Sequence, residues 1–238
     1  MNNLSNKVAY ITGGSKGIGY GVAKALIDLG MRVAISSRHL SEAQKAASSL
    51  SKDSSKVLAL ESDVSSMDSE KGAVKKVIEQ FGQLDVLVAN AGVGYFASIE
   101  DITEEEWKSM IDTNLTGVFH SVKSSVEELI KSKGYIITIA SLAGTNFFEK
   151  GAAYNASKFG LVGFSQAIML DLRKHDVKVS TIMPGSVATH FNDHTPNDAD
   201  YWKIQPEDIG QIVADLLQMP SRTLPSKVEV RPSKPSKS

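Results

Sequence analysis

The sequence predicts an α/β fold, a doubly wound parallel sheet of about seven strands with helices on both faces. Short runs rich in valine and isoleucine alternate with segments of helix length, which is the pattern of parallel strands joined by crossover helices. The runs at 86–88 and 136–139 are almost entirely apolar instead of alternating with polar residues. Such runs are typical of strands that helices cover on both faces.

The same alternation gives the order of the elements. Strands are predicted at 8–12, 32–36, 56–60, 85–89, 135–140, 177–183 and 227–230. Amphipathic helices are predicted between them at 18–29, 41–50, 68–81, 112–131, 152–174 and 205–217. Gly30 and Gly82 directly follow two of these helices, where glycine commonly caps a C-terminus. Residues 1–231 are predicted to form one domain, and the polar tail at 232–238 is predicted to be disordered.

Composition and charge exclude several classes of function. The 238 residues include 26 Lys and Arg against 27 Asp and Glu, so the net charge of -1 offers no basic surface to nucleic acid or membrane. There is no cysteine, which excludes disulfides, thiolate zinc sites and a cysteine nucleophile. The N-terminus does not resemble a signal peptide, and no apolar run reaches the ~18 residues that span a bilayer. We expect a cytoplasmic protein that binds neither nucleic acid nor membrane.

A glycine-rich turn separates the first predicted strand from the first predicted helix. The turn contains Gly13, Ser15, Lys16, Gly17, Ile18 and Gly19. Glycines let the backbone amides approach a pyrophosphate, and the following helix N-terminus favours its negative charge. We interpret the turn as a nucleotide-binding site, with a ligand-free tight connection as the alternative.

The end of the second strand indicates which nucleotide is bound. An NAD site places an acidic residue there, about 20 residues after the turn, to hold the ribose hydroxyls. This sequence has Ser37 and Arg38 instead. Arg38 and Lys16 can both donate charge-assisted hydrogen bonds to a 2′-phosphate. We therefore predict NADP(H) as the cofactor, with two ordinary surface cations as the alternative.

Tyr154 and Lys158 are the predicted catalytic pair, with Ser141 thirteen residues before the tyrosine. One helical turn separates the two, so their Cβ atoms are expected about 5 to 6 Å apart on one face. An ammonium group at ~4 to 6 Å favours a phenolate, so Lys158 is expected to lower the pKa of Tyr154 and make it a general acid or base. The alternative is a tyrosine that only packs against the sheet.

With these motifs in order, the chain resembles the short-chain dehydrogenase/reductase family from residue 7 to about residue 230. Residues 12–19 match its TGxxxGxG turn and residues 90–92 its NAG motif. The matches to the catalytic tetrad are Asn114, Ser141, Tyr154 and Lys158, and Pro184 and Gly185 match the turn after the sixth strand. The resemblance implies a Rossmann fold and an NADP-dependent oxidoreductase that reduces a carbonyl to an alcohol, or the reverse.

The resemblance also implies individual roles. Asp63 and Val64 would lie along the adenine, and the segment Asn90, Ala91 and Gly92 would support the cofactor side of the sheet. Val187 and Thr189 would fix the carboxamide. Ser141 would bind the substrate oxygen, Lys158 would hold the nicotinamide ribose, and Asn114 would position a water that links Lys158 to solvent.

Two other interpretations of function stay open. One is a 3-oxoacyl-[acyl-carrier-protein] reductase, although the ending at 228–232 lacks the glycine-rich close of many such enzymes. The other is a catalytically silent, NADP-sensing regulatory protein. Filled catalytic positions favour an enzyme acting on a small carbonyl or alcohol.

Three further features lie near the catalytic motifs. His190 and His194 flank Asp193 as a possible metal half-site, with a solvated substrate loop as the alternative. Several aromatic residues could wall an apolar pocket, with simple packing near the loops as the alternative: Tyr95, Phe96, Phe147, Phe148, Phe191, Tyr201 and Trp202. The resemblance implies a dimer or tetramer that assembles through the helices at 112–131 and 152–174.

Overall fold

The computed structural model describes residues 4–234, apart from the side chain of Asp193, and its centre is one seven-stranded sheet. The strands are β1 (Val8–Ile11), β2 (Arg32–Ser37), β3 (Val57–Glu61), β4 (Val86–Ala89), β5 (Tyr135–Ile139), β6 (Lys178–Pro184) and β7 (Lys227–Val230). Their order is β3-β2-β1-β4-β5-β6-β7, and all neighbours are parallel. The predicted fold class is confirmed.

Helices cover both faces of this sheet. They are α1 (Gly17–Asp28), α2 (Leu40–Leu50), α3 (Met67–Phe81), α4 (Glu104–Ile111), α5 (Gly117–Ser132), α6 (Ala152–Leu172) and α7 (Pro206–Gln218). Apolar residues of α3, α5 and α6 share one core cluster with the sheet, and those of α1, α2 and α7 share the other. Gly30 and Gly82 adopt the left-handed backbone conformation, with φ of 80° and 78°, as expected for glycines at the C-terminal ends of helices.

Side chains of the central strands enter both cores in alternation. Tyr10 and Leu87 belong to the cluster beneath α3, α5 and α6, whereas Ile11 and Val88 belong to the opposite one. All four are fully buried. Because each face packs against helices, neither can carry polar residues at low free energy, and this explains the uninterrupted apolar runs in the sequence.

One predicted boundary is wrong. The helix predicted to begin at 112 is preceded by α4, which starts at Glu104 and leads through a π-helical segment, Asp112–Thr116, into α5. Thr103 caps α4: its Oγ1 accepts from the Glu106 amide at 3.1 Å, and Glu106 accepts from the Thr103 amide at 2.9 Å. The sequence contains this capping signal. However, the acidic residues in the first turn of α4 interrupt the apolar periodicity from which a helix would be predicted.

From β1 to β3 the chain adds strands towards one edge of the sheet, and from β4 to β7 it adds them towards the other edge. A crevice forms at the carboxyl ends of the two strands that flank such a switch point, here β1 and β4. Pro232 lies close to Gly185 beyond β6. The disorder predicted for 232–238 falls partly on residues 235–238, which lie outside the described residues. Between residues 4 and 234, no helix has both the length and the apolar character needed to cross a bilayer.

Candidate active site

A cavity of about 1260 Å³ opens at the carboxyl ends of the strands. Nearly all the predicted site residues line it: Gly13, Ser15, Lys16, Gly17, Ile18, Ser37, Arg38, Asp63, Val64, Asn90, Ala91, Gly92, Ser141, Tyr154, Lys158, Pro184, Gly185, Val187 and Thr189. The exceptions are Gly19 and Asn114, which are buried and do not line the cavity. Residues far apart in the sequence therefore share one cavity, which is large enough for an extended ligand.

The glycine-rich turn is built by close backbone approach. Gly13 has φ of 63°, and a Cβ atom there would lie 3.0 Å from the Ala91 Cα. A Cβ on Gly19 would lie 2.6 Å from the Gly13 carbonyl oxygen. The helix that follows begins without a side-chain cap and without an acidic residue in its first turn. Its N-terminal amides thus suit an anionic ligand such as a pyrophosphate.

Asn90 fixes this turn to the end of β4. Its Nδ2 donates to the carbonyl oxygens of Thr12 at 2.9 Å and Gly13 at 3.0 Å. In return, Thr12 Oγ1 accepts from the amides of Asn90 at 3.0 Å and Ala91 at 3.1 Å. This reciprocal bonding agrees with the supporting role that the resemblance implies for Asn90.

An acid that was not predicted from the sequence lies next to the end of β2. Ser37 Oγ donates to Glu42 Oε2 at 2.9 Å, and Glu42 lines the cavity together with Ser37 and Arg38. Lys16 and Arg38 are solvent-exposed. The carboxylate comes from the first turn of α2, five residues beyond Ser37, and not from the strand end where an acid is expected. Two cations and one carboxylate therefore share this end of the cavity.

Asp63 and Val64, after β3, lie at the same end. Asp63 Oδ1 accepts from the amide of Ser65 at 2.9 Å and from its hydroxyl at 2.7 Å, which fixes the turn. Val64 is buried, and its carbonyl oxygen contacts His120 Nδ1 at 2.9 Å. The adenine-binding role that the resemblance implies for these two residues stays a prediction.

Tyr154, Lys158 and Ser141 meet at the opposite end of the cavity. Tyr154 is 8% exposed and Lys158 is 4% exposed. Lys158 Nζ lies 5.7 Å from the centre of the tyrosine ring and donates to the Ile139 carbonyl oxygen at 3.2 Å. Ser141 follows β5, where its Oγ accepts from the Ala143 amide at 3.1 Å and donates to the Pro184 carbonyl at 3.4 Å.

Asn155, a residue of α6 that was not predicted as a site residue, binds the loop that follows Ser141. Its Nδ2 donates to the carbonyl oxygens of Ala143 and Asn146, both at 2.7 Å. Asn155 is buried, and it directly follows Tyr154 in the sequence. The bonds therefore hold the loop that carries Ser141 against the first turn of the helix that carries Tyr154.

The expected lowering of the Tyr154 pKa is wrong, because its net shift is upward. Burial raises the pKa of Tyr154 to about 12, and a hydrogen bond with Ser141 opposes this rise. Burial also lowers the pKa of Lys158 to about 8. The lysine donates to a backbone carbonyl and lies beside the ring, so the desolvation of the phenolate prevails. Tyr154 is thus a neutral phenol, and Lys158 is still mostly cationic at neutral pH.

Asn114 lies in the π-helical segment, and its side chain is fully buried. Its Nδ2 donates to the Val93 carbonyl at 2.9 Å and to Ser157 Oγ at 3.1 Å, and its Oδ1 accepts from the Val93 amide at 2.8 Å. These bonds join the loop after β4 to α6. The side chain supports the neighbourhood of Lys158, and a water-binding role for this residue stays a prediction.

The predicted metal half-site is organised by a carboxylate. His190 and His194 both line the cavity, and His194 Nε2 lies 2.5 Å from Asp200 Oδ2. Lys203 Nζ lies 2.6 Å from the other oxygen of Asp200. Lys203 and then His194 hold the pKa of Asp200 well below its usual range. Among the residues that the structure describes, no group of three or more potential ligands is arranged around a metal position.

The family model described as short chain dehydrogenase matches residues 7–200. The chain belongs to the short-chain dehydrogenase family. It is an oxidoreductase of that family, and the family resemblance read from the motifs is confirmed.

Its relatives match along nearly the whole chain. An uncharacterised oxidoreductase of Staphylococcus aureus strain MRSA252 is 32% identical over 233 residues, covering 98% of this chain and 100% of the relative. An alcohol dehydrogenase from Thermococcus sibiricus, solved with 5-hydroxy-NADP, has a TM-score of 0.91 at 31% identity, with 98% and 100% of the chains covered. A 3-ketoacyl-(acyl-carrier-protein) reductase from Brucella melitensis, solved with NADH, has a TM-score of 0.87 at 25% identity, with 97% and 98% covered.

Proposed function

We propose that this protein is an NADP(H)-dependent carbonyl reductase that converts a small ketone or oxo acid into an alcohol and can run in reverse. One observation carries the proposal. A single cavity has exposed Lys16 and Arg38 at one end, and buried Tyr154 and Lys158 with half-buried Ser141 at the other. A nucleotide bound along it would present its phosphates to the turn and its reactive end to the tyrosine.

The nucleotide, when bound, supplies the hydride that reduces the carbonyl carbon. Tyr154 then donates its hydroxyl proton to the substrate oxygen, while Ser141 donates a hydrogen bond to the same oxygen. With a pKa near 12, Tyr154 keeps the proton that reduction requires. The cationic Lys158 stabilises the negative charge that develops on the tyrosine oxygen after transfer.

The acid Glu42 makes the nucleotide preference a balance of charges. Lys16 and Arg38 attract a 2′-phosphate, whereas the carboxylate of Glu42 repels it and could instead accept from a ribose hydroxyl. The Thermococcus enzyme was solved with an NADP derivative and the Brucella enzyme with NADH, so relatives with both nucleotides exist. We propose that the two cations prevail here.

We expect the wild type to favour NADPH over NADH in kcat/KM by about tenfold or more, since each charge-assisted contact contributes roughly 1.5 kcal/mol even where solvent weakens it. Lys16→Ala with Arg38→Ala should reverse the preference, because Glu42 then stands alone. Glu42→Gln keeps an acceptor for Ser37 and should increase the preference. Steady-state rates with both nucleotides at two salt concentrations check this, and salt should weaken the preference.

A screen with both nucleotides tests the function itself. The panel should hold simple ketones, oxo acids and an oxoacyl thioester, so that an acyl-carrier-protein reductase is also detected. Nucleotide binding without turnover of any substrate would favour the silent, NADP-sensing alternative. An equal or greater rate with NADH would contradict the assignment of Lys16 and Arg38.

We also propose that the protein is a homo-oligomer that assembles through α5 and α6, as the resemblance implies. These helices leave large apolar side chains exposed, including Phe119 and Leu170, the latter at 60%. Light scattering should give a multiple of 25.6 kDa for the wild type. Leu170→Glu should lower the mass, whereas Ile99→Glu, on another exposed surface, should not. A wild-type particle of 25.6 kDa would contradict the proposal.

A further inference from the structure

Three phenylalanine rings surround the ring of Tyr154. The centroid of Phe96 lies 5.4 Å from that of Tyr154, the centroid of Phe191 lies at 5.7 Å and the centroid of Phe148 at 6.4 Å. Phe96 also contacts the other two, with centroids 5.5 Å from Phe148 and 6.4 Å from Phe191. At these distances aromatic rings attract one another edge to face. We call Phe96, Phe148 and Phe191 the phenylalanine cage.

The cage brings together three separate segments of the chain. Phe96 follows β4, Phe148 follows β5 and Phe191 follows β6, and all three line the cavity. The Phe191 ring occupies the space beside Gly94, where any larger side chain would displace it. Of the other aromatic residues named from the sequence, Tyr95 and Phe147 line the cavity and Tyr201 and Trp202 do not.

Packing alone does not account for these rings. Phe96 is 38% exposed and Phe148 is 44% exposed, although the tyrosine between them is buried. Rings that only filled the core would be covered, as Tyr154 is. The cage therefore keeps apolar surface available to a ligand next to the reacting hydroxyl.

Apart from the buried Lys158, the charges that line the cavity are distant from the cage or paired. The carboxylates of Glu42 and Asp63 line the cavity after β2 and β3, and β1 and β4 lie between those strands and β5. Lys158 donates to Ile139, and Lys203 is paired with Asp200. A carboxylate on the substrate would lose its hydration here, and the cation beside Tyr154, Lys158, is 4% exposed and already donates to a backbone carbonyl.

We propose that the substrate is an uncharged carbonyl compound whose carbonyl carbon bears an aryl or similarly flat apolar group, and that the phenylalanine cage holds this group. The inference rests on the proposed carbonyl reduction and adds the chemical class of its substrate. A flat ring gains edge-to-face contacts with the cage while its carbonyl oxygen reaches Tyr154 and Ser141.

Four related substrates test the charge and the ring separately. Ethyl benzoylformate and ethyl pyruvate differ in a phenyl against a methyl group, and benzoylformate and pyruvate are the matching anions. Each kcat/KM is divided by the rate constant with which borohydride reduces the same compound. This division corrects for differences in the intrinsic reactivity of the four carbonyl groups. We expect a preference of about tenfold or more for phenyl over methyl, from contacts with several rings, and for ester over acid.

Variants test the assignment to the cage. Phe96→Ala removes the central ring and should lower the phenyl-to-methyl ratio about 3- to 10-fold. Tyr201→Ala is the matched control, because Tyr201 is an exposed aromatic residue outside the cavity wall, and it should leave the ratio unchanged. Phe148→Arg, at a half-exposed position that tolerates a charge, should raise the rates of the acids relative to the esters.

Binding gives a second readout that does not need turnover. In saturation-transfer NMR, the ring protons of ethyl benzoylformate should receive signal from the wild type and less from Phe96→Ala. A wild-type preference for acids or for methyl, or an unchanged ratio in Phe96→Ala, would overturn the inference alone. Reduction of none of the substrates with either nucleotide would overturn the proposed function as well.

Discussion

Replacing Tyr154 with phenylalanine should lower kcat/KM by about 10²- to 10⁴-fold, which is the usual contribution of a positioned general acid. The substitution removes only a hydroxyl, whose hydrogen bond with Ser141 is lost. The ring keeps its contacts with Phe96 and Phe191, so the fold should persist. Nucleotide affinity should also change little. Steady-state kinetics, circular dichroism and nucleotide titration on one preparation separate these effects.

The chain contains a matched control for this change. Tyr20 and Lys24 have the same spacing as the catalytic pair, but Tyr20 contacts Ser49 at 3.0 Å and does not line the cavity. Tyr20→Phe should retain wild-type activity. Near-normal activity of Tyr154→Phe would contradict its role as the general acid.

Replacing Lys158 with methionine should abolish most activity and at the same time remove a destabilising buried charge. Lys158 is 4% exposed, and the hydrogen bond to Ile139 at 3.2 Å leaves its burial unfavourable, as its lowered pKa shows. A shift from 10.5 to about 8 corresponds to a charge-burial penalty on the order of 3 kcal/mol at 1.36 kcal/mol per pKa unit. At neutral pH the variant should therefore unfold at higher denaturant concentration than the wild type.

The pH dependence of this difference has a definite sign. Below pH 8 the lysine is charged in both the folded and the unfolded protein, and the wild type bears the full penalty. Between pH 8 and 10.5 the unfolded chain binds more protons than the folded one, so wild-type stability rises with pH. The stability advantage of Lys158→Met should shrink by about 3 kcal/mol across this window.

Denaturant unfolding at several pH values measures that advantage, and Lys24→Met serves as the control because Lys24 is exposed. The control should show no such trend. An advantage of Lys158→Met that is constant from neutral pH to above pH 10.5 would mean that Lys158 is not an unfavourable buried cation.

The strands and most helices could be predicted because buried parallel strands leave apolar runs that the sequence displays directly. The cavity wall could be predicted because its glycines and polar residues occur at strand ends. Glu42 could not, since it reaches the site from a helix and its contact with Ser37 depends on the angle between α2 and β2. The pKa of Tyr154 could not either, because spacing gives its distance to Lys158 but not the burial that outweighs it.

In the proposed reaction, hydride passes to a carbonyl carbon in this cavity while Tyr154 supplies the proton. NADPH carrying deuterium at nicotinamide C4, prepared separately in each stereochemical form, tests it most directly with ethyl benzoylformate as the acceptor. One of the two forms should place deuterium on the carbinol carbon of the product in the wild type, and this transfer should nearly vanish in Tyr154→Phe but not in Tyr20→Phe. Product without deuterium from either form, or transfer at the wild-type rate in Tyr154→Phe, would contradict the account.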